Sequence, residues 1–178
     1  EMFSPIIAST KRRAIWLGIN LLTAFLGAWV IGRYEDTIQQ LVALAILMPV
    51  VAGMGGIAGS QTLTIAIRGI ALGHIAKTNI KPLLIKELSI GILNGIFWSS
   101  VVAIIVIIWF GQFSLGIIIG ASMIINLIIA ALAGATIPII LKHYGIDPAI
   151  AGGVILTTVT DVVGFITFLG LATIFLVG

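Results

Sequence analysis

The 54 residues from Leu88 to Leu141 carry no charged side chain, a run too long for any one element of a water-soluble globule. As a single helix rising 1.5 Å per residue they would extend about 80 Å, far beyond the roughly 30 Å hydrocarbon core of a bilayer. They must therefore cross a membrane twice, turning at Gly111, Gln112, Phe113 and Ser114, where polar and flexible residues interrupt the run. Composition agrees. Of the 178 residues, 60% are apolar and 8% charged, against about 25% charged in soluble domains. The 21 glycines suit helices that approach closely in lipid, and the absence of cysteine excludes disulfides and thiolate metal sites.

The same reasoning places five spans in one transmembrane domain over residues 1–178. The 19 uncharged residues of 14–32 form the first, and because further spans follow without a convincing cleavage site it is not a removed signal peptide. The second, 37–67, has 31 uncharged residues, more than the roughly 20 a straight crossing needs. Its Pro49, Gly53, Gly55, Gly56 and Gly59 predict a bend or local unwinding. The third and fourth are 88–110 and 115–141, with Pro138 a candidate kink. The fifth, 148–178, opens on Pro148 at a favourable first-turn position behind Asp147 as N-cap.

Five crossings put the N-terminus and the 68–87 and 142–147 segments on one side, with eight basic residues, among them Arg68, Lys77, Lys81 and Lys86. The other side has only Arg33. Because basic residues accumulate on the cytoplasmic side, the N-terminus is expected inside and the C-terminus outside. The net charge of +3 thus reports topology, and no nucleic-acid partner is expected. An odd number of spans cannot make two equal inverted halves, and no internal repeat is evident, so a closed pathway is easier to build between two copies. Three GxxxG spacings (Gly55 with Gly59, Gly91 with Gly95, Gly116 with Gly120) allow close contact within a subunit or across a dimer.

Asp161 stands near the middle of the fifth span, where an ionisable group is costly and by default functional. Thr157, Thr158 and Gly164 share its helical face. Either Asp161 faces a watery path and attracts a cation, with the Thr157 hydroxyl helping to hold its water, or it is protonated and bonded to a neighbouring helix. The run Pro49 to Gln61 offers a parallel choice: freed backbone carbonyls lining a cavity, which bind cations well, or glycines that merely permit packing.

The remaining candidates are weaker. Glu35 and Asp36 border the outer mouth, where they would concentrate cations or solvate a loop. Glu87 reads as a helix-end charge or a part of an inner vestibule, and His74 and His143 read as solvated loop residues. Gly53, Gly55 and Ala58 fit a degenerate dinucleotide fingerprint, but no strand precedes them. Phosphate-loop, zincin and GxSxG motifs are absent, so neither an enzyme nor an ATP-driven pump is indicated.

Two long segments, MPVVAGMGGIAGSQTLTIAIRGIALG from Met48 to Gly73 and YGIDPAIAGGVILTTVTDVVGFITFLGLAT from Tyr144 to Thr173, resemble the transmembrane domain of the MgtE magnesium channels and transporters. With the five spans, the likeness covers nearly the whole chain. It implies an all-helical homodimer in the plasma membrane of a prokaryotic cell, with an ion path along the subunit interface lined by spans two and five. Asp161 falls at the position of the family's central magnesium site, and Thr157 and Gly153 at the contributing positions one and two turns earlier. Pro49, Gly53, Gly56, Ile57, Thr158 and Gly164 are the pore-lining candidates.

The resemblance also implies a cytoplasmic magnesium-sensing region ahead of the membrane part, which these 178 residues do not contain. Ile57 departs from the family's usual asparagine. Magnesium releases water reluctantly and uses one or two carboxylates, so two symmetry-related Asp161 side chains around a hydrated ion would suffice. The expected function is passive influx of divalent cations, chiefly Mg²⁺ with Mn²⁺, Co²⁺ or Ni²⁺ as competitors, without an organic cofactor. A proton- or sodium-coupled exchanger and a non-conducting assembly module are the alternatives.

Overall fold

In the computed structural model, which describes residues 5–75 and 78–177, every span is a helix. Their order is α1 (Ile6–Gly32), α2 (Glu35–Gln40), α3 (Ala43–Ala71), α4 (Ile80–Phe110), α5 (Phe113–His143) and α6 (Pro148–Ala172), the last continuing as a π-helical turn over Thr173–Val177. The five longer helices, α6 with its extension, are long and apolar enough to cross a membrane. No strand occurs among the described residues.

The boundaries follow local chemistry. Asp147 caps α6 by accepting a hydrogen bond from the Ala149 backbone N–H at 2.9 Å, and Pro148 occupies the first turn, as expected. Gly111 ends α4 at φ +67°, a left-handed conformation that favours glycine. The expected four-residue turn contracts to Gly111 and Gln112, because Phe113 and Ser114 already belong to α5.

One expectation is overturned, and two helices extend beyond the uncharged spans they carry. The second span is not unwound at its glycines: α3 runs unbroken through Pro49 and Gly59, and the break falls earlier, at Leu41, whose φ and ψ are −137° and 83°. In a bilayer every exposed peptide group is costly, so a helix keeps its ladder around a proline where water-solvated chain would part. The helix of the third span starts at Ile80 rather than 88, so Lys81, Lys86 and Glu87 are helical. The first helix starts at Ile6 rather than 14 and carries Lys11, Arg12 and Arg13 on its exposed opening turns. Lys77 lies outside the described residues.

The centre of the bundle is α5, packed against α3, α4 and α6. One apolar cluster joins Leu44, Leu47 and Val51 of α3 with Leu115, Ile119 and Met123 of α5 and Phe168 and Leu169 of α6. A second, towards the other end, gathers Leu63, Ile137, Leu141, Ala151 and Leu156. The helix α1 leans on α6, burying only Gly27 and Val30.

All three GxxxG pairs face neighbours within the chain. A Cβ at Gly91 would lie 2.9 Å from Ala131, one at Gly59 2.7 Å from Leu156, and one at Gly116 would overlap Ile107. At the end of the bundle that carries α2, the Thr37 and Thr173 hydroxyls share a 2.8 Å hydrogen bond that ties α2 to the end of α6.

Candidate cation site

The helices α3 and α6 run antiparallel and touch through small residues. Gly59 receives Leu156, Gly152 receives Leu63, and a Cβ at Gly56 would lie 4.0 Å from the Thr160 hydroxyl. In an α-helix the next residue is turned by 100°. On two antiparallel helices side by side, that rotation carries both successors to the same side of the pair. Ile57, Ser60 and Thr64 of α3 therefore share a face with Gly153, Thr157 and Asp161 of α6. Burial agrees: all are exposed except Asp161, which is half-buried.

Along this strip nothing stands over the small residues. Among the described residues, no atom beyond the local backbone of the same helix comes within 4 Å of a Cβ built at Gly153 or at Gly53. The Thr157 hydroxyl donates to the Gly153 carbonyl at 2.7 Å, which uses its proton and leaves its lone pairs as acceptors. That carbonyl is thereby occupied, so Gly153 contributes room rather than a ligand. Thr158 is half-buried and donates to Val154 at 2.8 Å.

The Asp161 carboxylate has no hydrogen-bond or ion-pair partner among the described residues. The neighbouring-helix bond that would make it structural is therefore not found there. Nor do the described residues hold a group of three acidic, histidine or cysteine side chains able to bind a metal ion. One chain offers a single carboxylate on an open face.

The other candidates separate. Pro49, Gly53 and Ile57 are exposed along α3, with Ile57 64% exposed on the same strip as Asp161, while Gly56 is half-buried against α6. Gly164 points inward: it is buried, and a Cβ there would lie 2.9 Å from Asn126 and 3.5 Å from Val51. It is a packing residue, not part of the open strip. Glu35 and Asp36 are exposed on the first turn of α2, where Glu35 accepts from Gln39 at 3.2 Å. His74 and His143 are exposed, with His143 edge-on to Tyr144.

Three features escape a reading by residue type. Ser60 and Thr64 continue the α3 strip, and their spacing from Ile57 could have revealed them. Glu87 is neither a helix-end charge nor a vestibule surface: it is 3% exposed and accepts a hydrogen bond from Thr62 at 3.0 Å. Burial draws it inward because α4 starts two turns earlier than the charge pattern suggested. Asn126 is wholly buried on α5, and no local signal marks it among uncharged neighbours.

A family model described as a divalent cation transporter, MgtE, matches residues 48–171, which include both helices of the strip. The magnesium transporter MgtE of Bacillus subtilis (strain 168) is 38% identical over 165 residues, covering 93% of this chain and 37% of the relative. The magnesium transporter MgtE of Enterococcus faecalis is 30% identical over 173 residues, covering 97% and 38%. That of Thermus thermophilus is 30% identical over 170 residues, covering 96% and 38%. The chain thus spans less than two-fifths of the length of these curated relatives. On the match to both helices of the site and to nearly all of its own length, this multi-pass membrane chain belongs to the MgtE family of divalent cation transporters.

Proposed function

We propose that the chain forms the membrane path of a passive Mg²⁺ channel or transporter, with Asp161 at the central site of a pore closed by a second copy. The observation that carries this reading is the unpartnered Asp161 carboxylate on an open, small-residue face of the α3–α6 pair. A lone carboxylate facing hydrocarbon would be costly. Facing its symmetry mate across water, it makes a two-carboxylate site. Thr157 accepts hydrogen bonds from the ion's water, and Gly153 leaves space for that shell.

Magnesium keeps most of its water and needs only one or two carboxylates, so such a site holds the hydrated ion without stripping it. Few direct ligands also let the ion leave, which conduction requires. With the N-terminus inside, an inside-negative potential favours entry by about 2.3 kcal/mol per elementary charge per 100 mV, and a divalent ion gains about twice that. Influx then needs no ATP. Mn²⁺ and Co²⁺ are the competitors such a site admits, and the longer relatives suggest a cytoplasmic partner region that controls it.

The test is uptake into liposomes holding an Mg²⁺ indicator, under an inside-negative potential, by the unmodified protein and by Asp161→Asn at equal incorporation. Rapid uptake that collapses in the variant is expected. Equal uptake by both would remove Asp161 from the path. No uptake by correctly inserted, dimeric unmodified protein would remove conduction itself.

A further inference from the structure

The central helix α5 sends one amide side chain between the two helices that carry the open strip. Asn126 is fully buried, and its Nδ2 donates to the Val51 carbonyl of α3 at 2.9 Å. It fits because two facing residues have no side chain. A Cβ at Gly55 of α3 would overlap the Asn126 amide, and one at Gly164 of α6 would lie 2.9 Å from Nδ2. Gly164 is one turn beyond Asp161, and Gly55 lies two residues before Ile57. The amide therefore touches both backbones next to the candidate cation site.

Its other end is unpaired. The Oδ1 atom is buried without a hydrogen-bond partner among the described residues. Turning the amide over does not cure this, because two carbonyl oxygens would then oppose each other at Val51. Its contact with two backbones that carry no side chain at that point is what sets this residue apart. What it supplies is geometry, as a rigid planar group wedged between two helix backbones and bonded to one.

We propose that Asn126 is a positioning residue that fixes the separation and rotation of α3 and α6 beside Asp161, and through them the cation preference of the path. The second half of this statement rests on Asp161 being the cation site. An ion that passes with its water is selected by the spacing of the acceptors around that shell rather than by direct ligands. Magnesium, whose shell is the more rigid and exacting, loses its advantage over Mn²⁺ when that spacing slackens.

The variant Asn126→Leu keeps the number and branching of the side-chain heavy atoms in a bulkier, non-planar form, while removing both the Val51 bond and the unpaired oxygen. Two readouts separate a positioning role from a structural one. The chain has no cysteine, so Gly56→Cys with Thr160→Cys, where a Cβ at Gly56 would lie 4.0 Å from the Thr160 hydroxyl, reports the α3–α6 spacing through its rate of oxidative cross-linking. The ratio of Mg²⁺ to Mn²⁺ uptake reports preference.

In Asn126→Leu the bulkier side chain, held between Gly55 and Gly164, is expected to lower the unfolding midpoint in detergent. Cross-linking is expected to slow, and the uptake ratio to fall by about threefold or more. Unchanged cross-linking overturns the proposal, and slowed cross-linking with an unchanged ratio overturns its claim on preference. If neither protein conducts, the cation-site reading fails while cross-linking still decides whether Asn126 sets the spacing. Should the leucine variant not fold, Asn126→Ser, whose hydroxyl can bond back to its own helix, is read in the same way.

Discussion

The interface of α5 with its neighbours and the outer face of the α3–α6 pair are built from the same small residues and use them in opposite ways. Inside, every gap that a glycine leaves is filled: Gly134 of α5 faces the Gly59 carbonyl at 2.5 Å from where its Cβ would be, and Gly55 receives Asn126. Outside, Gly53 and Gly153 face open space. A missing side chain is thus a contact in one region and an aperture in the other. Spacing alone does not distinguish them, since Gly55 belongs to the interior and Gly53, two residues earlier, to the open face.

Adding one methyl group to each region separates the two uses of a missing side chain. At Gly134 the obstacles are backbone atoms of Gly59 and Leu63, which have no rotamer to yield. Overpacking of this kind typically costs about 1–3 kcal/mol, and with backbone on the far side Gly134→Ala is expected at or above that range. Its unfolding midpoint in detergent should drop by several degrees. Among the described residues, Gly153→Ala meets nothing within 4 Å beyond the local backbone of its helix, so its midpoint should stay within the roughly 0.5 kcal/mol scatter of surface changes. Equal losses in the two variants would mean that the outer face is packed as tightly as the interior.

A second test concerns buried polarity. Thr62→Val removes the donor to Glu87 and leaves a nearly inaccessible carboxyl group without that bond, a loss of about 1–3 kcal/mol. Thr157→Val makes the matching change on the open strip, where the hydroxyl bonds only to its own helix. Stability should barely move there, while Mg²⁺ uptake falls by about tenfold if the lone pairs hold the ion's water, one hydrogen bond's worth of interaction. Detergent melting curves and liposome uptake, measured together on both variants, check the pair.

What the amino-acid sequence could and could not convey follows from the same contrast. Long uncharged runs, Gly111 between α4 and α5, and Asp147 before Pro148 mark the helices with little ambiguity, because charge and backbone chemistry are local. A single acid amid apolar residues marks Asp161 equally well. Which side of a helix faces inward is another matter: where almost every face is apolar, hydropathy loses the periodicity that orients an amphipathic helix. Position on the helix alone therefore puts Gly164 on the strip although it packs on Asn126, and charge alone puts Glu87 at a helix end although it is buried. The glycines of α3 suggested unwinding by a rule that holds in water, where freed carbonyls find solvent.

The smallest expected effect tests whether the open face is a surface of free choice. Ile57 is 64% exposed on the same strip as Asp161, so its side chain contributes little to the fold of the single chain. Ile57→Asn places an amide where the family resemblance expects one and adds an acceptor for water near the carboxylate. If two copies enclose a hydrated path, uptake of Mg²⁺ should rise by about threefold, the effect of one weak hydrogen bond to the ion's shell, with the melting midpoint unchanged. If the strip instead faces lipid, the amide is a polar group in hydrocarbon. The variant then inserts or assembles less well, by roughly 1–2 kcal/mol on the scale of such groups in membranes, without any gain in flux. One substitution thus distinguishes water from lipid in front of Asp161, through a gain in uptake in the first case and a loss of insertion or assembly in the second.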